Sequence, residues 1–218
     1  MAKVTVNTKE IPAKTIARLS QYRRALLICI SRGKTHIFSH EIAAIQHVTP
    51  VQVRRDLMLI GFSGSLKQGY NIHQLIEVIS NILDSKEGIN VAVVGLGNLG
   101  RAMINYFYGK RTRLTIVAAF DNDPNKIGTE FNGIYCYSPY RLEEIIKNNN
   151  IKIAILTVPA EKAVEVADRL VNAGITGILN YTSTPINVPD HVFLDEYDMI
   201  TTLEKAAFFV KSLSEKNQ

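Results

Sequence analysis

The chain has 218 residues, of which 46% are hydrophobic and 21% charged, enough apolar side chains for one large domain or two small ones. No apolar run reaches the roughly 18–20 residues of a membrane span. The first residues, Met1-Ala-Lys-Val-Thr-Val-Asn7, carry no apolar stretch of the secretory kind, so a cytoplasmic protein with no membrane contact is expected. Cys29 and Cys136 lie far apart in apolar surroundings, and no Cys/His cluster has ligand spacing. A metal site and a disulfide framework are therefore not expected, and both cysteines read as buried small hydrophobes.

The net charge of +5 is unevenly placed. Residues 1–84 carry 11 Lys and Arg against 5 Asp and Glu, whereas residues 85–218 carry 14 against 15. The excess positive charge belongs to the first third, which points to two domains with different partners, the first meeting a polyanion. An ordinary basic surface is the plainer alternative.

In chain order, Ile11-Pro12 reads as an entry turn, and Thr15 as the cap of a helix running to about Arg32. Its buried stripe would be Ile16, Leu19, Leu26, Leu27 and Ile30, with Gly33 ending it. Ser39 starts a second, short helix and is its candidate cap. Thr49-Pro50 supplies a cap and a first-turn proline for a third, Pro50 to Ile60, closed by Gly61. This is the outline of a helix-turn-helix. On the third helix, Val53, Leu57 and Ile60 share one side and should face the core. Gln52 and Arg55 take the other side, with Arg54 on a flank. Arginine reads guanine, glutamine reads adenine, and either holds phosphate; a solvated face is the bland reading. The segment Phe62-Ser-Gly-Ser-Leu-Lys-Gln-Gly-Tyr70 has hairpin chemistry, and Lys67 near its tip suits a wing over a phosphate backbone. An amphipathic stretch, His73 to Leu83, then runs into the polar break Asp84-Ser-Lys-Glu-Gly88.

Residues 89–121 hold the strongest signal. The β-branched run Val91, Val93, Val94 leads into Gly95, Gly97 and Gly100, then into a helical pattern (Leu99, Met103, Phe107). A second apolar run, Leu114 to Phe120, ends in Asp121, 21 residues past Gly100. Strand, glycine turn, helix, strand and acid are the parts of a dinucleotide site. Gly95 permits the turn, Gly97 lets backbone approach a pyrophosphate, and Gly100 lets helix and strand pack closely. The helix start offers unpaired N–H donors. Asp121 would accept from both ribose hydroxyls and repel a 2′-phosphate, favouring NAD(H) over NADP(H). Further on come a short strand near Ile134, a helix near Arg141–Lys147, a strand from Ile151 to Val158 and a helix from Ala160 to Ala173 stopped by Gly174. A strand from Ile175 to Asn180 follows. This alternation gives a doubly wound parallel sheet, with Pro159 and Asn180-Tyr181 on its ligand edge. A last helix, Asp198 to about Leu213, has an apolar face (Leu203, Ala206, Ala207, Val210) widened by Phe208 and Phe209, more than one surface helix needs. It suits burial against a partner subunit.

A nicotinamide enzyme needs an acid/base and a substrate pocket. Beyond residue 73 the one histidine is His191, in a proline-flanked loop without a visible partner. About 40 residues follow the Rossmann core, too few for a substrate domain. No catalytic residues are assigned and no enzyme is expected.

Several stretches stand in a diagnostic order: Arg18-Leu19-Ser-Gln-Tyr22, Val53-Arg-Arg-Asp-Leu57, Gly69-Tyr70, Val94-Gly-Leu-Gly-Asn-Leu-Gly100, Phe120-Asp-Asn-Asp-Pro124, Lys126-Ile-Gly128, Val158-Pro-Ala160, Ala173-Gly-Ile175 and Asn180-Tyr181. As a set they resemble the redox-sensing transcriptional repressor family Rex over nearly the whole chain. The resemblance implies a bacterial homodimer that represses genes of fermentative and respiratory metabolism. The cofactor would be a signal: the free or NAD⁺-bound form holds an inverted-repeat operator, and NADH releases it. The C-terminal helix would be exchanged between subunits. By position, Asp198, with Asp195 and Glu196 as rivals, resembles the acid at the start of that helix. Tyr106 resembles the tyrosine after the glycine turn, and Arg18 the first-helix arginine. The resemblance makes these three the reporters of redox state. The chain also departs from the pattern. Its wing carries Lys67 as the only charge, Met58 stands where the family has serine, and Val164 where it has glutamine. These departures point to a weaker or altered operator preference, or to a divergent paralogue.

The expected architecture is thus α/β, with a winged-helix domain (1–84), a Rossmann NAD(H)-binding domain (85–196) and a C-terminal dimerisation helix (197–218). NADH and NAD⁺ would be held by Gly95, Gly97, Asn98, Leu99, Gly100, Asp121, Pro159 and Tyr106. Double-stranded operator DNA would be held by Gln52, Arg54, Arg55 and Lys67. The rival reading is a small Rossmann protein binding NAD or a CoA-like nucleotide, enzymatic or scaffolding, whose basic domain docks an acidic partner.

Overall fold

The computed structural model describes residues 11–108 and 113–215. The N-terminal stretch 1–10, read above for the absence of a secretory leader, lies outside the described residues, as do the last three residues of the C-terminal segment. The chain divides into two compact units, 1–86 and 87–218.

In the first unit, α1 (Ala13–Ser31) is followed by β1 (His36–Ile37), α2 (Ser39–Gln46), α3 (Pro50–Leu59), β2 (Tyr70–Asn71) and α4 (Ile72–Leu83). The capping logic holds at α3, where the Thr49 hydroxyl accepts from the Gln52 amide. It fails at α1 and α2. Pro12 precedes α1, and Thr15 is a buried residue inside the helix. Ser39 is the first helical residue of α2, while the Glu41 carboxylate accepts from the Phe38 amide at 2.8 Å. The stripe of α1 also shifts: Leu19, Tyr22 and Leu26 are buried, whereas Leu27 is 51% exposed. The core joins these side chains to Ile37, Ile42, Val53, Leu57, Ile60, Ile72, Leu75 and Ile79. Cys29 is only partly buried, against expectation, while Cys136 is fully buried in the second unit.

The wing is a tight hairpin. Ser65 and Gly69 exchange two backbone hydrogen bonds of 2.8 Å, and β2 pairs antiparallel with β1. Gly69 has φ +74°, and a Cβ there would lie 2.5 Å from the Ile37 carbonyl oxygen, so only glycine closes this hairpin onto β1.

The second unit is built on a seven-stranded sheet. Its strands are β3 (Ile89–Val94), β4 (Leu114–Phe120), β5 (Glu130–Phe131), β6 (Ile134–Tyr137), β7 (Ile151–Leu156), β8 (Gly177–Asn180) and β9 (Phe193–Glu196), in spatial order β5-β6-β4-β3-β7-β8-β9. All neighbours are parallel except β5 and β6. Its helices are α5 (Asn98–Phe107), α6 (Leu142–Asn148), α7 (Ala163–Asn172) and α8 (Met199–Glu215). Alternation along the strands fills both faces. Ala92, Val94, Phe120 and Leu156 pack with α6 and α7, while Val91, Val93, Ala119 and Ile155 pack with α5.

The helix expected over Ala160–Ala173 is split, a 3₁₀ turn at Ala160–Lys162 preceding α7. Two short strands, β5 and β9, were not foreseen. β9 reaches β8 through the irregular segment 181–192, anchored by buried Ile186 and Val192. Four residues ending in two acids carry no strand periodicity, so β9 owes its form to pairing with β8.

Candidate functional site

The sheet order reverses beside β3: the chain moves outward through β4 and β6, then returns to β7 on the other side. The crevice between the carboxyl ends of β3 and β7 is where such sheets hold ligands. Gly95, with φ +97°, turns the chain there, and a Cβ on it would lie 2.6 Å from the Thr157 carbonyl oxygen. At Gly100 a Cβ would meet the Gly95 carbonyl oxygen at 2.0 Å, so α5 touches the turn through bare backbone. An added Cβ on Gly97 meets nothing within 4 Å. That open side faces a cavity of about 860 Å³, within the usual size of small-molecule sites. The start of α5 opens on it with unpaired N–H groups.

Of the predicted cofactor residues, Gly95, Gly97, Asn98, Leu99, Asp121 and Pro159 line this cavity. Gly100 is not among the lining residues; its contribution is the close packing just described. Tyr106 is not a lining residue either. It stands at the far end of α5, 56% exposed, edge-on to Phe107. Sequence reasoning missed the wall formed by Tyr140, Leu142, Val166 and Lys162. Tyr140 stands in a 3₁₀ turn, Pro139–Arg141, Leu142 begins α6, and Lys162 and Val166 come from the 3₁₀–α7 segment. Only chain order within the sheet brings them near Asp121, so no local spacing announces them.

Asp121 is buried and already occupied. Its Oδ2 accepts from the Leu96 amide at 2.7 Å and from the Lys126 ammonium at 3.0 Å; its Oδ1 accepts from the Asp123 amide at 2.9 Å. Burial pushes this carboxyl up, but the Asp123 amide, Lys126 and the Leu96 amide outweigh it and hold it below the ordinary range. A carboxylate offers about four lone-pair sites, so one remains. Asp121 can therefore take one ribose hydroxyl, where the sequence suggested two. Lys126 also offsets the charge that would repel a 2′-phosphate. The residues fit an adenine dinucleotide: an open glycine for the phosphates, helix amides, and one carboxylate acceptor for a ribose. No histidine or cysteine is among the cavity's lining residues, and His191 is exposed.

In the first unit, Arg54 and Arg55 are exposed on α3, with Arg54 3.3 Å from the Ser39 hydroxyl. Lys67 is exposed at the wing tip beside Leu66. Gln52 is only half-exposed, because its Nε2 donates to Asp56 at 2.9 Å. Arg18 does not project freely. Its Nε and Nη2 donate to Asp56 at 2.6 and 2.7 Å, and Nη2 also to the Thr15 hydroxyl at 3.0 Å.

At the other end of the chain, Asp198 caps α8, accepting from the amides of Ile200 and Thr201 and from the Thr201 hydroxyl. The Thr201 bonds lower its pKa. Its rivals are also engaged: Asp195 accepts from the Tyr197 hydroxyl, and Glu196 from the Ile186 amide and Asn180. Along α8, Met199, Ile200, Leu203, Phe208, Phe209, Val210 and Leu213 are all more than half exposed.

Residues 10–57 match the family described as "Putative DNA-binding protein N-terminus", and residues 86–184 the family described as "CoA binding domain". The chain is 37% identical over 211 residues to the redox-sensing transcriptional repressor Rex of Bacillus licheniformis, covering 97% of this chain and 98% of that protein. The chain belongs to the Rex family. To the Rex of Carboxydothermus hydrogenoformans it is 41% identical over 202 residues, covering 93% and 97% of the two chains. A Rex-family repressor, RSP, solved with NAD⁺ and operator DNA, superposes with a TM-score of 0.87 at 30% identity, covering 94% of this chain and 96% of that one. Its complex with NADH superposes at 0.83, covering 96% and 99%. The N-terminal DNA-binding domain and the Rossmann sheet are thus the shared Rex architecture, and these Rex relatives are named as repressors, not enzymes.

Proposed function

We propose that the chain is an NADH-responsive transcriptional repressor that holds inverted-repeat operator DNA and releases it when NADH binds. One observation carries this reading: a Rex-family fold spans nearly the whole chain and combines a glycine-turn crevice of dinucleotide size with a basic winged helix. Arg54, Arg55 and Lys67 hold phosphate or base edges, and Gln52 lies against a base. Gly97, Asn98 and the first amides of α5 take the pyrophosphate, while Asp121 orients a ribose hydroxyl. Bound in this crevice, the nicotinamide would supply the redox signal.

The working form is a homodimer of the cytoplasm. The apolar face of α8 calls for a covering surface, and an exchanged helix in a second copy supplies one. Asp198, Tyr106 and Arg18 relay the state of the cofactor between subunits. For Arg18 this requires that it share or leave Asp56, since its guanidinium is already doubly bonded there.

The test is binding to duplexes carrying a Rex-type inverted repeat, titrated separately with NADH and NAD⁺ at fixed salt. Specific binding lost with micromolar NADH and kept with NAD⁺ is expected. Binding indifferent to both would remove the redox switch. Tight NADH binding without any specific duplex would favour a nucleotide-binding scaffold. Displacement of NADH by CoA would identify a CoA-type ligand, as the name of the family matching residues 86–184 suggests.

A further inference from the structure

Asp56 lies on the inner side of α3 with no exposed surface, one turn past Gln52. A buried carboxylate is costly unless paired and hydrogen-bonded, and this one is saturated. Oδ1 accepts from Arg18 at 2.7 Å and from Gln52 at 2.9 Å. Oδ2 accepts from Arg18 at 2.6 Å and from the Tyr22 hydroxyl at 2.8 Å. Four donors meet about four lone-pair sites. Three of them come from α1, so the carboxylate is fixed by a helix other than its own. The fourth comes from the one side chain of α3's polar face that is drawn partly inward.

A glutamine amide has two N–H donors and one carbonyl. With one N–H spent on Asp56, Gln52 keeps one N–H and its oxygen. That is the donor–acceptor pair that meets adenine N7 and N6 in a major groove. Arg54, by contrast, has a single long contact to Ser39, and Arg55 is exposed. Long cations of that kind suit phosphates.

We propose, resting on the repressor reading above, that Asp56 is a positioning residue for base recognition. Anchored on α1 by Arg18 and Tyr22, it holds the Gln52 amide in one orientation before DNA arrives, and so makes Gln52 the adenine reader of each half-site. Preorganisation of this kind lowers the ordering cost of binding. The same clamp sets the angle of α3 against α1, so the reading side chain and the helix that carries it share one anchor.

The test uses the full chain and duplexes selected from a randomised inverted-repeat pool by the wild-type protein. Each half-site position is then changed, including adenine to 7-deazaadenine, which removes only the N7 acceptor. Wild type should lose about tenfold in affinity at one adenine. Gln52→Ala should abolish that discrimination. Asp56→Asn should reduce it at least threefold, with binding to random duplex unchanged. Full discrimination in Asp56→Asn overturns the proposal, as does any wild-type footprint without adenine dependence. Failure to select any duplex would instead overturn the repressor reading itself.

Should Asp56→Asn fail to fold, the nitrogen–proton spectrum of the wild-type protein decides. The Gln52 side-chain amide, assigned by its disappearance in Gln52→Ala, should be dispersed and as ordered as rigid backbone. An amide averaged like those of exposed glutamines would overturn the proposal.

Discussion

Each unit of the molecule holds one buried aspartate at its working end, and the two are used differently. Asp56 takes four hydrogen bonds and has no lone pair left. Asp121 takes three and lines a cavity. Burial pushes both carboxyls up, and hydrogen-bond donors bring both below the ordinary range. The direction of the shift does not tell them apart. What separates them is the remaining acceptor site: a saturated carboxylate fixes structure, and one with an acceptor site to spare beside a cavity can receive a ligand. The charge bookkeeping differs as well. Arg18 grips Asp56 through two nitrogens, whereas Lys126 meets Asp121 as a single ammonium that also lies 3.8 Å from Asp123.

The sharpest way to break the first half of this contrast is Arg18→Met. It strands a fully buried carboxylate without its cation, a change that costs about 3–5 kcal/mol. Denaturant unfolding should show the loss in the N-terminal unit. Next comes Gly100→Ala. The added methyl would sit 2.0 Å from the Gly95 carbonyl oxygen, forcing α5 off the turn and the Leu96 amide off Asp121. Calorimetry should show NADH affinity falling by more than about 100-fold, with about 3 kcal/mol of stability lost.

Asp121→Ala tests the second half. A hydrogen bond to a charged group contributes about 1.5–3 kcal/mol, so NADH should bind roughly ten- to a hundredfold more weakly. Lys126, released from its partner, should narrow the gap to NADPH. Titrating both nucleotides into this variant decides between an acceptor role and a charge-repulsion role.

Acid exposes a smaller, shared effect. Because the folded pKa of Asp56 lies below its unfolded value, the unfolded chain binds more protons in the acid range. The contribution of Asp56 is therefore complete above the ordinary aspartate value, about 3.9. It is lost as pH falls through the folded pKa. Urea midpoints should hold from pH 6 to about 5, drop below that in wild type, and drop less steeply in Arg18→Met. Least of all, Lys67→Ala should flatten the salt dependence of duplex binding by about 0.9 in slope for its phosphate, leaving base preference intact.

Much of the sheet was legible because its signals are local. The β-branched run before Gly95, the stop at Gly174 and the Thr49-Pro50 cap each act within a few residues, and each element followed. The misses are tertiary. Leu27 has the right spacing for the core of α1, but buried Tyr22, whose hydroxyl meets Asp56, turns that stripe away from it. Ser39 and Thr15 are capping residue types that fell inside helices because Phe38 and Pro12 had already set the entry. In the cavity, the glycine turn was readable from spacing, while Tyr140, Leu142 and Val166 reach it only through the order β4-β3-β7. Asp56 stood inside a recognised motif, Val53-Arg-Arg-Asp-Leu57, without an assigned role. An acid on the inward side of an amphipathic helix is itself a signal, since it demands a buried partner, and Arg18 and Tyr22 lay on the first helix.

The long terminal helix carries a consequence of another kind. Seventeen residues with seven large apolar side chains in water make a marginal helix when nothing covers them. If a second copy supplies the cover, the order of this segment belongs to the pair and follows mass action. Helix content then becomes a gauge of how many molecules are present: circular dichroism should weaken on dilution, and the cellular abundance of the protein would set its competence before any nucleotide does.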